Sequence, residues 1–292
     1  MSTTAVEVIY RGIFQRTMAK HITRGIVLAA RKEGKVGIAF GRYGDSPERN
    51  GIPAKQFAIV AANDEELQGS IAKYEPTEVD VTIAVDDALC KGVESWAWYG
   101  LQPVNKLLKE NGTLIVTSIK SAEELIPHIH KKDVAYNLAI IKGKASFSGL
   151  WVYKNDHTDM RMLGALPRVA PHLFGSPALE AAIREQIRRV QEEAIAPAEL
   201  ERVKAQVAAS NVFTRDSVFY QAMQMGMLET VGLDWKMLDH SVERVRAVTA
   251  AQVQAVAKKY LTESNLTVTL LDPQPGKAKP RAAAPLGGGH VR

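Results

Sequence analysis

The rhythm of the first 142 residues constrains this chain most. Short runs rich in Val, Ile, Ala and Phe alternate there with stretches of helical periodicity. Val6–Tyr10, Val36–Phe40, Lys55–Ala61, Val79–Val85, Thr113–Thr117 and Val134–Ile141 read as strands. Several of these runs are continuously apolar, and a strand needs that character when both faces of its sheet are covered. Between them, Arg16–Glu33 places Met18, Ile22, Ile26 and Ala29/Ala30 at helical spacing and stops at Gly34. Asp64–Lys73 and Glu94–Glu110 also read as helices, and Ser121 with Glu124 forms a capping box at the start of another. Strands alternating with helices predict a mostly parallel sheet sandwiched between helical layers.

The pattern changes after Asp159. Met160–Leu173, Pro177–Glu193 and Pro197–Thr230 read as helices, as does Thr249–Tyr260 with its Thr249/Gln252 capping box, and Asn265–Leu271 reads as one last strand. The expected fold is therefore an α/β module of three layers, followed by a helical segment with an α+β remnant. At 292 residues, two domains fit the length. The expected division is 1–180, 181–273, and a basic tail at 274–292 without a packed core.

Charge excludes less than it suggests. The net charge is +5, but the tail from Gln274 holds Lys277, Lys279, Arg281 and Arg292 and no acid, which leaves only +1 for the rest. A nucleic-acid groove is not expected on that balance. No apolar run approaches the roughly 20 residues that cross a bilayer, so no membrane association is expected. A single cysteine, Cys90, cannot form an internal disulfide or hold an iron–sulfur cluster unaided. A soluble, cytoplasmic protein is the expectation.

Candidate chemistry is sparse. Asp86 and Asp87 follow the strand Val79–Val85 at its carboxyl end, where open α/β sheets bind ligands. Adjacent carboxylates there either hold a metal or do acid/base work, or simply end the strand and cap the next turn. Arg11 and Arg16 flank the turn after the first strand and either attract an anion or stay solvated. The loop Arg42–Pro53, with Arg42, Tyr43, Gly44, Arg49 and Gly51, is the best candidate for a partner- or substrate-facing element. His128 and His130 diverge on a helix and do not suggest shared metal ligation. Trp96, Trp98 and Tyr99 read as core or partner anchors on a helix, and Met223, Met225 and Met227 as core or interface filler.

Two family resemblances join these features. The loop Arg42-Tyr43-Gly44-Asp45-Ser46-Pro47-Glu48-Arg49-Asn50-Gly51, the strand Phe57–Ala61, Val79–Asp87, Lys109–Val116, Met162-Leu163-Gly164-Ala165-Leu166 and Leu179–Gln186 resemble, in order and spacing, the gamma subunit of the 2-oxoacid:ferredoxin (acceptor) oxidoreductases. The resemblance implies a non-catalytic subunit in a complex that oxidatively decarboxylates a 2-oxoacid such as pyruvate to an acyl-CoA. It also implies alpha, beta and ferredoxin-like partners that carry thiamine diphosphate, magnesium and the iron–sulfur clusters, with no cofactor on this chain alone. The family's Gly-rich turn after the first strand is here Arg11-Gly12-Ile13-Phe14-Gln15-Arg16, whose bulky residues would block a nucleotide.

Further along, Pro197–Gln206, Val245–Leu261 and Asn265–Val268 resemble the C-terminal domain of the pitrilysin/insulinase-type zinc peptidases. The zinc-binding His-x-x-Glu-His of that family is absent. This half implies a fusion or chimera, and, as an alternative function, an inactive peptidase-related subunit paired with a catalytic processing-peptidase-like partner.

Overall fold

A computed structural model describes residues 3–41, 52–71, 75–96, 99–129, 133–143, 157–214 and 218–269. Eight strands are found among them: β1 (Thr4–Arg11), β2 (Val36–Gly41), β3 (Pro53–Ala61), β4 (Val79–Ala84), β5 (Glu94–Trp96), β6 (Gly100–Gln102), β7 (Leu108–Ser118) and β8 (Tyr136–Lys142). Six form one sheet in the order β2-β3-β1-β4-β7-β8, and β5 and β6 make a separate hairpin. β1, β4, β7 and β8 pair in parallel, and β3 pairs antiparallel with both β1 and β2. Five of the six strands thus run the same way, so the sheet is mostly parallel, as its apolar strands require.

The helix α1 (Gly12–Arg31) returns the chain from β1 to β2 across one face. Its buried stripe Ala19, Ile22, Ile26, Ala29 and Ala30 recurs at helical spacing. α4 (Thr158–Val169) and α5 (Ser176–Glu192) lie on α1 from outside. Gly25 is needed at this contact, because a Cβ there would stand 2.6 Å from Leu163. Two polar residues beyond the end of α1 fasten α5. Glu33 accepts from the Gly175 amide at 2.7 Å, and Lys35 donates to the Leu173 carbonyl at 2.8 Å. The Gly175 hydrogen bond, followed by that from Lys35, holds the Glu33 carboxyl below its ordinary pKa. Helix α5 runs without a break across residue 180, where the two halves of the sequence were expected to meet.

The opposite face carries a buried ion pair. Glu7 lies directly across from Thr82, and Lys55 sits one diagonal step away on β3. The Lys55 ammonium is 2.7 Å from the Glu7 carboxylate, and both side chains are buried. Thr82 donates its hydroxyl to the other Glu7 oxygen at 2.7 Å. The β5–β6 hairpin closes over the pair, with Lys55 Nζ 5.3 Å from the Trp96 ring centre and 4.9 Å from that of Tyr99.

This hairpin corrects the helix expected at Glu94–Glu110. Trp96 is the inward anchor of a strand, and Gly100, with φ of +68°, turns the chain back. Burying the indole against Lys55 outweighs the helical spacing of the aromatics. Lys109–Gly112 likewise belongs to β7 and not to a helix end. The β4–β7 register shifts there, and Asn111 takes a left-handed φ of 60° while its amide bonds the Ala135 carbonyl at 2.7 Å. The remaining short helices are α2 (Asp64–Ile71) and α3 (Ala122–Leu125), the latter with the expected Ser121–Glu124 capping box.

Beyond α5 come α6 (Pro197–Thr214), α7 (Val218–Thr230), α8 (Ser241–Arg246) and α9 (Ala250–Tyr260). Thr249 and Gln252 cap α9 reciprocally, as the sequence predicts. The strand expected at Asn265–Leu271 is not formed over its described part. Residues 263–265 make a 3₁₀ turn, and 266–269 have no ladder partner among the described residues. A strand needs a neighbour to bond to, and this stretch leaves α9 beside other helices. The chain after residue 269 lies outside the described residues.

The buried pair generates a stability prediction. Lys55→Met should cost about 3–5 kcal/mol, because it strands the Glu7 carboxylate in the core. Joining Glu7→Leu to it should recover most of that loss. Denaturant unfolding of the two variants checks both values.

Candidate functional site

The sheet reverses its winding direction between β1 and β4. From β1 the chain crosses to β2 on one side, and from β4 it crosses to β7 on the other. The carboxyl ends of these two parallel strands therefore border the crevice where open α/β sheets place ligands. β1 ends at Arg11, and Gly12, with φ of +65°, makes the turn into α1. A residue with a Cβ would be strained at that turn. β4 ends at Ala84, and Asp87–Cys90 curls into one 3₁₀ turn with Asp86 as its N-cap.

Side chains of the chain itself fill the edge of this crevice. Gln15 accepts from the Arg11 amide at 2.6 Å and donates its own amide to Asp86. The second Asp86 oxygen accepts the Ala88 amide at 2.7 Å, which caps the 3₁₀ turn. Arg11 reaches toward the Ala88 carbonyl at 3.5 Å. Asp87 points elsewhere: it accepts from the Ser118 hydroxyl at 2.7 Å, with Lys120 Nζ 3.6 Å away. Ser118 in turn accepts the Lys120 amide at 2.9 Å.

The two adjacent carboxylates are thus held apart by different partners. Asp86 ties β4 to the start of α1, and Asp87 ties the 3₁₀ turn to the end of β7. Among the described residues, no group of three or more His, Cys, Asp or Glu side chains could hold a metal ion. Burial raises the Asp86 pKa above the ordinary carboxylate range, the nearby Asp87 charge adds to it, and the Gln15 and Ala88 hydrogen bonds and the Arg11 charge oppose it. Arg16 follows Gln15 on the first turn of α1 and is partly buried. The side chains of Ile13 and Phe14, and the loop with Arg42, Tyr43, Gly44, Arg49 and Gly51, lie outside the described residues. The strands flanking that loop meet the same edge, since Pro53 pairs with Arg11.

A second polar pair joins the helical layer. His21 on α1 and Asp159 at the start of α4 are 2.6 Å apart, and Asp159 also accepts the Met160 amide at 2.9 Å. Burial alone raises the Asp159 carboxyl, but these hydrogen bonds and the His21 charge carry its pKa below the ordinary value. Cys90 is a buried thiol in no disulfide. His128 ends a 3₁₀ turn at the surface, and His130 and Trp98 lie outside the described residues.

Sequence reading found the two aspartates and the two arginines, and missed Gln15, Ser118 and Lys120. No local spacing links Gln15 to Asp86, because 71 residues separate them. Glu7 and Lys55 did carry a signal, as charges inside otherwise apolar strands.

No family model matches the sequence. Solved structures similar to it include two subunits of related enzymes. One is the pyruvate oxidoreductase subunit PORC from Thermotoga maritima, at 20% identity with a TM-score of 0.44. The other is the gamma subunit of a keto/oxoacid ferredoxin oxidoreductase from Geobacter sulfurreducens, at 17% identity with a TM-score of 0.41. Each match covers 64% of this chain and 86% of the other. Similarity at this level is a partial overlap of backbone and assigns no activity. Neither of the two is a peptidase.

The buried Asp86 carboxylate gives a pH prediction. Its folded-state pKa is raised, so its contribution favours folding at low pH and is lost as pH rises through that pKa. The stability difference between the wild type and Asp86→Asn should therefore move against the wild type as pH climbs from about 4 to neutrality. Urea midpoints measured across that range check the slope.

Proposed function

We propose that this chain is a gamma-type, non-catalytic subunit of a thiamine-diphosphate-dependent 2-oxoacid:ferredoxin (acceptor) oxidoreductase. One observation carries the reading: the scattered sequence blocks that resemble such subunits converge in a single body. Val79–Asp87 and Lys109–Val116 supply neighbouring parallel strands. Met162–Leu166 buries Met162, Leu163 and Leu166 in the core shared with α1, and Leu179–Gln186 lies in α5, which packs on the same helix. Residues far apart in sequence are thus needed together, as a shared ancestry would require.

The site chemistry agrees with a supporting role. The carboxylates at the switch point are engaged by Gln15, Ala88, Ser118 and Lys120, which tie β4, the 3₁₀ turn, α1 and β7 together. Protein-held iron–sulfur clusters take two or more cysteine thiolates, and one cysteine cannot supply them. Thiamine diphosphate, magnesium and the clusters would belong to alpha, beta and ferredoxin-like partners. Decarboxylation of the 2-oxoacid, transfer of the acyl group to coenzyme A and delivery of electrons to ferredoxin would occur on those chains. This subunit would wall part of the active-site region and hold the assembly together.

The loop 42–51 gives the test. Arg49→Ala should lower 2-oxoacid-dependent ferredoxin reduction by the co-expressed complex at least several-fold. The melting temperature of the isolated chain should stay within a degree or two of wild type if the loop serves the partner subunits and not this chain's own packing. Equal losses of activity and stability would assign the loop a structural role. Failure of the chain to co-purify with alpha and beta subunits would overturn the reading.

A further inference from the structure

Charge is segregated on the α/β body, although the chain without its tail carries only +1. α1 holds Arg16, Lys20, Arg24 and Arg31 and no acid. α4 adds Arg161 and Arg168, and its one acid, Asp159, is buried against His21. Two contacts set these helices side by side and parallel: His21 meets Asp159, and Gly25 lies against Leu163 four residues further along each helix. Their solvent-facing stripes are therefore neighbours. On α1 the stripe runs through His21, Arg24 and Arg31, about 15 Å of helix. On α4 it runs through Met160, Gly164 and Arg168, at i, i+4 and i+8. The acids that reach the end of α1 are engaged, Glu33 by the Gly175 amide and Lys35, and Glu185 by Lys32 at 2.8 Å. Among the described residues, Arg24, Arg31 and Arg168 have no carboxylate partner. Arg31 and Arg168 also complement the carboxyl ends of their own helices, whereas Arg24, in the middle of α1, has no such use.

We propose, resting on the reading of this chain as one subunit of a complex, that the outer face of α1 and α4 docks a carboxylate-rich surface of a partner subunit. Cations held a turn or two apart repel one another until an acidic surface meets them, so the face selects its partner by charge. Arginine supplies Arg24, Arg31 and Arg168, and its planar fork matches a carboxylate with two parallel hydrogen bonds. The centre of the face favours protein carboxylates over phosphates. Met160 is 50% exposed there, and Gly164 has nothing within 4 Å of where a Cβ would stand. An apolar spot open to close approach and bordered by cations suits a protein surface, which buries Met160 on contact. A phosphate backbone would meet the cations and leave Met160 in water.

Arg24→Glu tests the face, and Arg24→Gln/Arg31→Gln replaces it should the reversed charge disturb α1. In the co-expressed complex, Arg24→Glu should weaken binding of the partner subunits at least about tenfold at low salt, with a smaller difference at about 1 M salt. A complex that forms with the affinity and salt dependence of wild type would overturn the proposal. Should no partner subunit co-purify, the functional reading fails, and titration of the isolated full chain with fluorescent poly-L-glutamate still decides the surface. The basic tail is the same in every variant, so the difference between variants reads the α1–α4 face. A loss of about tenfold in Arg24→Glu is expected, and equal binding would overturn the proposal. Duplex DNA that binds more tightly than poly-L-glutamate and loses more in Arg24→Glu would assign the face to nucleic acid and overturn it. So would a wild type that has twice the chain mass at low salt beside a monomeric Arg24→Glu, which would assign the face to a second copy.

Discussion

The ion pair between Glu7 and Lys55 is the interaction on which the rest of the α/β body depends. It joins the central strand β1 to β3, recruits Thr82 on β4, and gives the β5–β6 hairpin a cation to close over. Removing two charges from water costs several kcal/mol each, and only close geometry with further hydrogen bonds offsets that cost. The pair therefore tolerates one arrangement of four elements and penalises alternatives. A slip of β3 by one residue would turn Lys55 to the other face and leave Glu7 without a cation. An apolar substitute could match the stability, but it would leave the register less strictly fixed.

That rigidity determines what the switch-point crevice can do. With β1 and β4 in fixed register, Gln15 and Asp86 meet across the crevice edge, and the first turn of α1 is tied to β4. In many open α/β sheets the glycines at this turn expose backbone amides to a phosphate. Here the Arg11 amide already donates to Gln15, and a single glycine serves the turn. The crevice is engaged by its own side chains. The proposed supporting subunit, which forms walls and contacts, is consistent with this.

Much of this organisation was legible in the sequence, and the failures share a cause. Continuous apolar runs gave β1, β3, β4 and β8 within a few residues, and Thr249 with Gln252 located α9. The Glu94–Glu110 stretch failed because its aromatics have helical spacing, whereas their partner is Lys55, about 40 residues away. The strand expected after Asn265 failed for the converse reason: its composition suits a sheet, but no strand lies beside it among the described residues. Asp86 and Asp87 were found by position, yet their separation onto Gln15 and Ser118 depends on contacts that no local pattern encodes. Met223 and Met227 were readable as core or interface filler, and both are exposed on α7.

Titration calorimetry of the isolated full chain with magnesium–thiamine diphosphate and with coenzyme A tests the central claim most directly. The proposed supporting role, with Arg11, Gln15 and Asp86 engaged at the crevice edge, predicts no saturable heat with either ligand. Saturable one-to-one binding that Arg11→Ala or Gln15→Ala abolishes would contradict it and place a coenzyme site on this chain.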